Sequence, residues 1–489
     1  MDDIYFVGSP NKMPDVISTL EPHLSSIGLK INTNKSWTTL ALPNYQLPIQ
    51  SKPVVMKTPL ATDVSIGPLN PKVLNTVKAV EKVADTQVAI LLLRQINNSS
   101  LTYTLRTACP NTTEDCVDQF TSAIVNSLAT LLRCSKEDIR QALPRITLPL
   151  GPGLGFTPLS EVAKPAFYAS FLQATRRLNL LDQDRFPIPQ QDIRSPVHYR
   201  RVISLALKKM DMLESDPNLK LQHTLVELVT CKRVKDTLEH LDPVNKRIVD
   251  STSYKHASSW LTAIPTTQEL SMSPEKMVIA LRLFLSIPLQ KGVEECPICK
   301  KRIEDFNSHM LICSTKKALM QRHDAVKQCV KALCCAADLH VDVEPSPFGK
   351  NESCSKKDQR RPDLIIHNLG RKGSSVATDI SIANPFSKIG GSNPKPLAAA
   401  LSREADKINK YAADCSKVNI GFHPIILDAY GGITPNTIHN MLNPLIHRVK
   451  DFTSPNWAAP NPKAYWYQRL SIALWTFNAY KVKPQSGIY

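Results

Sequence analysis

The sequence predicts a multidomain α+β chain, and three observations carry that expectation. Apolar residues recur at helical spacing through most of residues 70–290. Short β-like runs such as "DLIIHNL" and "SVATDISIA" fall between residues 340 and 430. Between these regions lies a dense group of cysteine and histidine, residues 296–313.

The bulk figures agree. A chain of 489 residues has room for about two to four domains with sizeable cores. Its 42% hydrophobic and 21% charged residues are ordinary for a globular protein. The formal net charge of +17 is not. It points to a polyanionic partner, nucleic acid first; the rival reading is a basic protein with no such partner. The longest apolar run, "VAILLL" at Val88–Leu93, is too short to cross a bilayer, so no membrane partner is expected. An acidic start argues against a signal peptide. The 12 cysteines form no compact disulfide framework, which fits a reducing compartment.

Taken in order, residues 1–50 read as hairpin, helix, turn and strand. The helix runs from Pro14 to Ile27 and stops at Gly28. A proline-dotted connector follows, Leu42 to Pro59. Residues 70–145 read as mostly helical, with Val77, Val80, Val83, Val88 and Leu91 at helical spacing and breaks at "NNSS" (97–100) and "CPNTTEDC" (109–116). The glycine and proline cluster "LPLGPGLGFTPLS" (148–160) interrupts the helices. Another helical stretch covers about 160–290, with loops near Pro187 and Pro217. The last segment, with Trp457, Trp466 and Trp475, reads as a helix whose aromatic face packs rather than stacks on bases. No internal repeat is present.

"CPICKKRIEDFNSHMLIC" sets Cys296, Cys299, His309 and Cys313 in a C-x2-C-x9-H-x3-C array. Two cysteines in this spacing form a knuckle that offers both thiolates to one ion. The histidine and last cysteine, four apart, share one helical face, so the four donors converge tetrahedrally on zinc. The bland alternative is a chance cluster of thiols. With every position filled by protein, the zinc is structural. Lys300, Lys301, Arg302, Lys316 and Lys317 flank the knuckle and are candidate phosphate contacts.

Downstream, "RRPDLIIHNLGRKGSSVATDISIANPF" carries Asp363 at the start of one apolar run and Asp379 inside the next. If the runs pair as a hairpin centred on Arg371, the two aspartates fall opposite each other, with Cβ atoms about 4.5–5.5 Å apart. One Mg²⁺ fits between carboxylates so placed, and a metal there can activate water against a phosphodiester. A one-residue slip makes the pair diagonal. The helix that follows, "SREADKINKYAAD", offers Lys407, Lys410 and Tyr411 as companions. A surface hairpin with two solvated aspartates is the equal rival. The adjacent carboxylates Asp2 and Asp3 open the chain before the apolar run Ile4–Val7 and a Gly-Ser-Pro turn; such neighbours repel unless solvated or bridged by a cation.

The order of knuckle, "RHD" (Arg322, His323, Asp324), "RPD", "TDIS" and K-x-x-K-Y resembles the restriction-like endonuclease of certain non-LTR retrotransposons, whose single polyprotein carries reverse transcriptase, linker, zinc knuckle and nuclease. "MDDIYFVG" resembles motif C of a reverse transcriptase palm, and "GLKINTNKS" the motif after it, with Lys35 as its lysine. "VVMKTPLAT", "AILLLRQINNSSLTYTLRT" and "LPLGPGLGFTPLSEVAKPAFYASFL" look like thumb and linker, and "SSWLTAIPTT" and "ALRLFLSIPL" like the approach to the knuckle. The resemblance thus spans nearly the whole chain, although the thumb motifs are individually loose.

It implies a PD-(D/E)xK nuclease-like α/β domain with Pro362–Asp363 and Asp379 as its acids, using Mg²⁺ or Mn²⁺. Ser381 stands where many such nucleases carry lysine, so the resemblance passes that role to Lys407 or Lys410, with Tyr411 orienting the site. Glu344 in "VDVEPSPF" matches a first-strand acid weakly. Arg322 is an implied nucleic-acid contact, and His323 an implied helix support or nucleic-acid contact rather than a base. Asp2, Asp3 and Lys35 would be a polymerase remnant unable to polymerise alone, in a copy or gene model truncated at a methionine. The implied segments are a palm remnant (1–50), thumb-like helices (51–145), a helical linker (146–290), a CCHC zinc knuckle (291–316), the endonuclease (317–440) and a C-terminal helical segment (441–489).

The function expected is target-site nicking of DNA that primes reverse transcription in the intact element. The partners would be target DNA and element RNA, with no small-molecule substrate beyond that of the missing polymerase site. Synthesis would be cytoplasmic and residence nuclear, without a clear targeting signal. The alternative is a catalytically inactive, zinc-containing nucleic-acid-binding remnant.

Overall fold

The computed structural model describes residues 13–32, 36, 54–55, 58–59, 68–181, 220–296, 298–303, 305–313, 316–346, 361–370, 373–386, 395–450 and 459–486. The expectations for Asp2, Asp3, Lys35, Trp457 and the loops near Pro187 and Pro217 lie outside the described residues.

The described chain is mixed α+β and mostly helical. Its helices are α1 (Met13–Ser26), α2 (Pro71–Val80), α3 (Thr86–Ser99), α4 (Thr102–Thr107), α5 (Pro110–Leu131), α6 (Lys136–Ile146), α7 (Leu159–Leu181), α8 (Leu221–His240), α9 (Pro243–Thr252), α10 (Pro274–Leu285), α11 (Phe306–Ile312), α12 (Lys316–Ala336), α13 (Ala398–Lys417), α14 (Asn443–Arg448) and α15 (Pro462–Ser486). The strands are β1 (Val54–Val55), β2 (Thr58–Pro59), β3 (Val341–Val343), β4 (Leu364–Ile366), β5 (Val376–Thr378), β6 (Ile380–Ala383), β7 (Gly421–Phe422) and β8 (Ile425–Asp428). No described helix is long and apolar enough to cross a membrane.

Two sequence expectations are corrected. The "CPNTTEDC" segment is no break: Pro110 opens α5, where a missing N–H costs nothing, and the break falls just before it. The spacing that joins Val77 to Leu91 crosses a turn at Glu81–Asp85, which resets the helical phase. The face of α3 that is buried comprises Thr86, Gln87, Ala89, Ile90, Leu93 and Asn97. Gln87 can be buried because its Nε2 donates to the Ala263 and Leu270 carbonyls, at 2.8 and 2.9 Å, while its Oε1 accepts from Met272 N.

By contacts the chain divides into two compact units, one drawn from residues 1–71, 100–121 and 158–231, the other from 72–99, 122–157 and 232–489. In the first, α4 packs on α7. Leu159, Ala163, Ala166 and Ala169 line the buried side of α7, at spacings of three and four that keep them on one face. Small side chains there let the helices approach closely. Leu105 is buried on α4, and so is Leu101 at its N-cap.

The second unit is built around α10, which is buried from Met277 through Leu285 and apolar there except at Arg282; a helix of that composition belongs inside a core. Trp260 stacks on Trp475 at 4.8 Å between ring centroids, and Phe284 meets both edge-on. The glycine cluster 151–155 is obligatory at Gly153, where an added Cβ would collide with the Arg145 carbonyl and the Leu148 side chain.

A mixed sheet completes this unit. Its order is β3-β4-β5-β7, with β3, β4 and β5 antiparallel and β5 parallel to β7. β6 pairs in parallel with β8 just beyond. Parallel pairing needs a crossover, and α13 supplies it. One face, with Leu364, Ile366, Val376 and Ile380, packs in a core with α12, α14 and α15. The other, with Ile365 and Ala377, packs on Tyr411 and Cys415 of α13. Because the α15 residues Trp466, Tyr467, Leu470 and Leu474 share the first of these cores, the C-terminal segment belongs to the same packed body as the sheet.

Candidate active site and metal centre

The β4–β5 register is the one expected from a turn centred on Arg371: Leu364 pairs with Thr378, Ile365 with Ala377 and Ile366 with Val376. The next step of this register sets Asp363 opposite Asp379, on the face that Ile365 and Ala377 turn toward α13. Asp379 sits at the junction of β5 and β6, where its carbonyl accepts from Ile425 N at 3.0 Å.

Each carboxylate has defined partners. Asp363 Oδ2 accepts from Ile380 N at 2.6 Å and lies 3.1 Å from His323 Nε2. Asp379 Oδ2 lies 2.6 Å from Lys407 Nζ. Burial pushes the Asp379 carboxyl above its ordinary range; the hydrogen bond from Lys407 opposes this and the Asp363 charge adds to it. The hydrogen bond to Asp363 raises His323, against burial.

Helix phase distinguishes the two candidate lysines. Tyr411 is buried and its hydroxyl donates to the Arg361 carbonyl at 3.3 Å. Lys407, one turn earlier on the same face, reaches Asp379. Lys410 Nζ lies 4.9 Å from the Tyr411 ring centroid.

Glu344 follows β3, with a left-handed φ of 50°. Its backbone N donates to the Asp363 carbonyl at 2.9 Å, while its carboxylate pairs with Lys327 Nζ at 2.6 Å. Lys327 also pairs with Asp324 Oδ1 at 3.1 Å. Burial pulls Lys327 down, but these two acids outweigh it and the net direction is up. The sequence reading missed this Asp324–Lys327–Glu344 chain and the His323–Asp363 contact. The signal was present: 320–327 is helical, and residues 323, 324 and 327 fall within one turn of each other.

Arg322 departs from its expected role. Its side chain is 5% exposed and donates to the Leu311 carbonyl and to Asn478 Oδ1 at 3.2 and 2.9 Å. Burial lowers its pKa to about 10. It ties α12 to α15 and is not a phosphate contact. His323 is half-buried against Asp363. Lys300, Lys301, Arg302 and Lys317 are exposed, and the side chain of Lys316 is outside the described set.

The knuckle is formed as a tight hairpin, with Glu295 bridging Arg302 and Lys300 at φ 60°. Ile298 N and Cys299 N both point at Cys296 Sγ, 3.4 Å away. Asp305 caps α11 by accepting from Ser308 N, and α11 places His309 one turn before Cys313. The four donor atoms lie within 4.8 Å of one another. Cys296 Sγ is 3.6 Å from Cys313 Sγ, and Cys299 Sγ is 3.4 Å from His309 Nε2. Thiolates around tetrahedral zinc, with Zn–S bonds of about 2.3 Å, stand roughly 3.8 Å apart, so this donor set could hold that ion. Burial pushes the Cys313 thiol up to about 12, helped by its cysteine neighbours. At Cys296 burial also opposes ionisation, but the two backbone N–H groups outweigh it and the direction is down. Burial, with Lys301 and Lys481 nearby, lowers His309 and keeps its imidazole neutral, the form that binds metal.

Compared with family models and with curated proteins, the sequence matches none.

Proposed function

We propose that the chain is a metal-dependent DNA endonuclease of the restriction-like kind that its sequence resembles, with nucleic acid as its partner. The observation that carries this reading is the pairing of Asp363 with Asp379 on one sheet face, beneath a helix whose Lys407 reaches Asp379.

Asp363 and Asp379 would hold Mg²⁺ or Mn²⁺, which when bound supplies Lewis-acid stabilisation of charge on the phosphodiester oxygens. The Ile380 N–H fixes the Asp363 carboxylate in place. Lys407 offsets the charge on Asp379 and is placed to turn its ammonium to a scissile phosphate when substrate enters. His323 Nε2 holds a proton against Asp363 Oδ2 and orients it. Cys296, Cys299, His309 and Cys313 would hold a structural zinc, since protein fills all four positions. The exposed Lys300, Lys301, Arg302 and Lys317, within a chain of net charge +17, would lie along the phosphate backbone. On this reading 317–440 carries the chemistry, the helices before 291 grip target DNA or element RNA, and the nucleus is the place of action.

The test is nicking of supercoiled plasmid in Mg²⁺ by the zinc-loaded chain, beside Asp363→Ala and Asp379→Ala. Nicked circles from the wild type alone support the nuclease. A second reading, a zinc-bearing nucleic-acid-binding protein without catalysis, is favoured by the way His323 and Lys407 already sit on the two carboxylates. Plasmid that shifts on a gel yet stays supercoiled would select it.

A further inference from the structure

We propose a second metal site, for a divalent transition-metal ion such as Zn²⁺, formed by His340, Asp342 and His367 at the edge of the sheet. This site is separate from both the cysteine cluster and the aspartate pair, and stands whether or not the nuclease reading does.

The sheet register builds it. Val341 pairs with Ile366 across β3 and β4, which sets His340 opposite His367; His367 N donates to the His340 carbonyl at 3.0 Å. Residues directly opposite share a face, as do residues two apart on a strand. His340, Asp342 and His367 therefore project from the same side of the sheet. The imidazole rings lie 5.3 Å apart and are inclined by 28°. His367 Nε2 is 2.8 Å from Asp342 Oδ2, and His340 Nε2 is 3.3 Å from Asp342 Oδ1. One donor atom from each residue lies within 4.8 Å of the others. Donors bound to one zinc at about 2.0–2.1 Å stand roughly 3.3 Å apart, so side-chain rotation alone closes the site.

The surroundings favour an ion over a simple surface pair. Both imidazoles turn Nε2 toward one carboxylate, a convergence of two borderline donors on a hard one that suits transition ions better than Mg²⁺. On its other side, His367 Nδ1 lies 3.0 Å from Ser375 Oγ. A hydroxyl both donates and accepts. It can donate to Nδ1 while Nε2–H faces Asp342, or accept from Nδ1–H once Nε2 gives its lone pair to a metal. A ligand histidine held by a second partner in this way is the usual arrangement of metal centres. His340, 77% exposed, leaves the remaining positions open to solvent. An ion here would clip edge strand β3 to β4 on the face that also carries Asp363 and Asp379.

The test is zinc content of the full chain after equilibrium dialysis against Zn²⁺ with millimolar Mg²⁺ present, for wild type, His340→Ala, Asp342→Ala, His367→Ala and Ser375→Ala. The expected result is one zinc more per chain in wild type than in each of the first three variants. Ser375→Ala should bind that same zinc about tenfold more weakly. Since Cys296, Cys299, His309 and Cys313 are intact throughout, the difference reports the second site alone. Equal zinc content in wild type and any one of the three ligand variants overturns the three-donor site.

Discussion

Asp379 and Lys407 meet across the boundary between sheet and helix, with Oδ2 2.6 Å from Nζ, at a point where burial and the neighbouring Asp363 both oppose the carboxylate's charge. The lysine is therefore more than a surface cation. It is the positive charge closest to a pair of acids that face each other over one sheet face.

Lys407→Ala should lower Mg²⁺-dependent nicking by about a hundredfold, the scale of losing one charge-stabilising donor at a reacting centre. Lys410→Ala should lie within about threefold of wild type, because Lys410 is placed over the Tyr411 ring. Initial rates of plasmid relaxation measure both. Equal effects would mean that helix phase does not select the lysine.

Removing metal from the cysteine cluster should destabilise the second unit. Asn307 donates to the Ile287 carbonyl and accepts from Leu289 N, so α11 is bolted to the end of α10. Met310 and Leu311 are buried there. Chelation, or Cys296→Ser, should lower Tm by about 5 °C or more, near 2 kcal/mol for a unit of this size. Calorimetry with and without chelator reads it.

Trp475 is fully buried and stacked on Trp260. Trp475→Ala should cost about 3–5 kcal/mol. Trp475→Phe should cost well under half of that, since it keeps an aromatic ring and removes an indole N–H that has no acceptor among the described residues. Urea unfolding of the two variants separates these outcomes.

Asp138 gives a pH dependence. It caps α6 in a reciprocal capping box with Ser135 and pairs with Lys291 at 2.8 Å. Burial alone would raise its carboxyl, but the hydrogen bonds from Lys291 and Ser135 outweigh it and the folded value lies below the ordinary one. A depressed carboxylate contributes stability above its unfolded pKa of about 3.9, and that contribution disappears as pH falls through the folded value. Asp138→Asn should cost about 1 kcal/mol at pH 7. The difference from wild type should shrink steadily below about pH 4. A gap that stays constant down to acid unfolding would deny the carboxylate this role.

Legibility followed the range of each interaction. The knuckle donors and the Asp363–Asp379 register could be read because both are set within a few residues of a turn. The lysine could not be selected until the buried direction of α13 was known, although Tyr411 held the clue, as the large apolar side chain four residues after one candidate and one after the other. Arg322 was misjudged because its burial is matched by the Leu311 carbonyl and by Asn478, the latter 156 residues away. Gln87 was invisible for the same reason, with its acceptors 176 and 183 residues along the chain. The His340–Asp342–His367 group escaped because it straddles two strands and matches no linear spacing.

Helix α15 gives the second unit a particular history at the ribosome. Ser471 donates to the Ala257 carbonyl, 214 residues earlier, and Trp475 completes the aromatic cluster begun by Trp260 and Phe284. During translation the apolar helix α10 must wait, its faces incompletely covered, until nearly two hundred further residues have emerged to supply that partner. Nascent chains of this protein should therefore engage chaperones through the α10 segment, and release should coincide with exit of α15 from the tunnel.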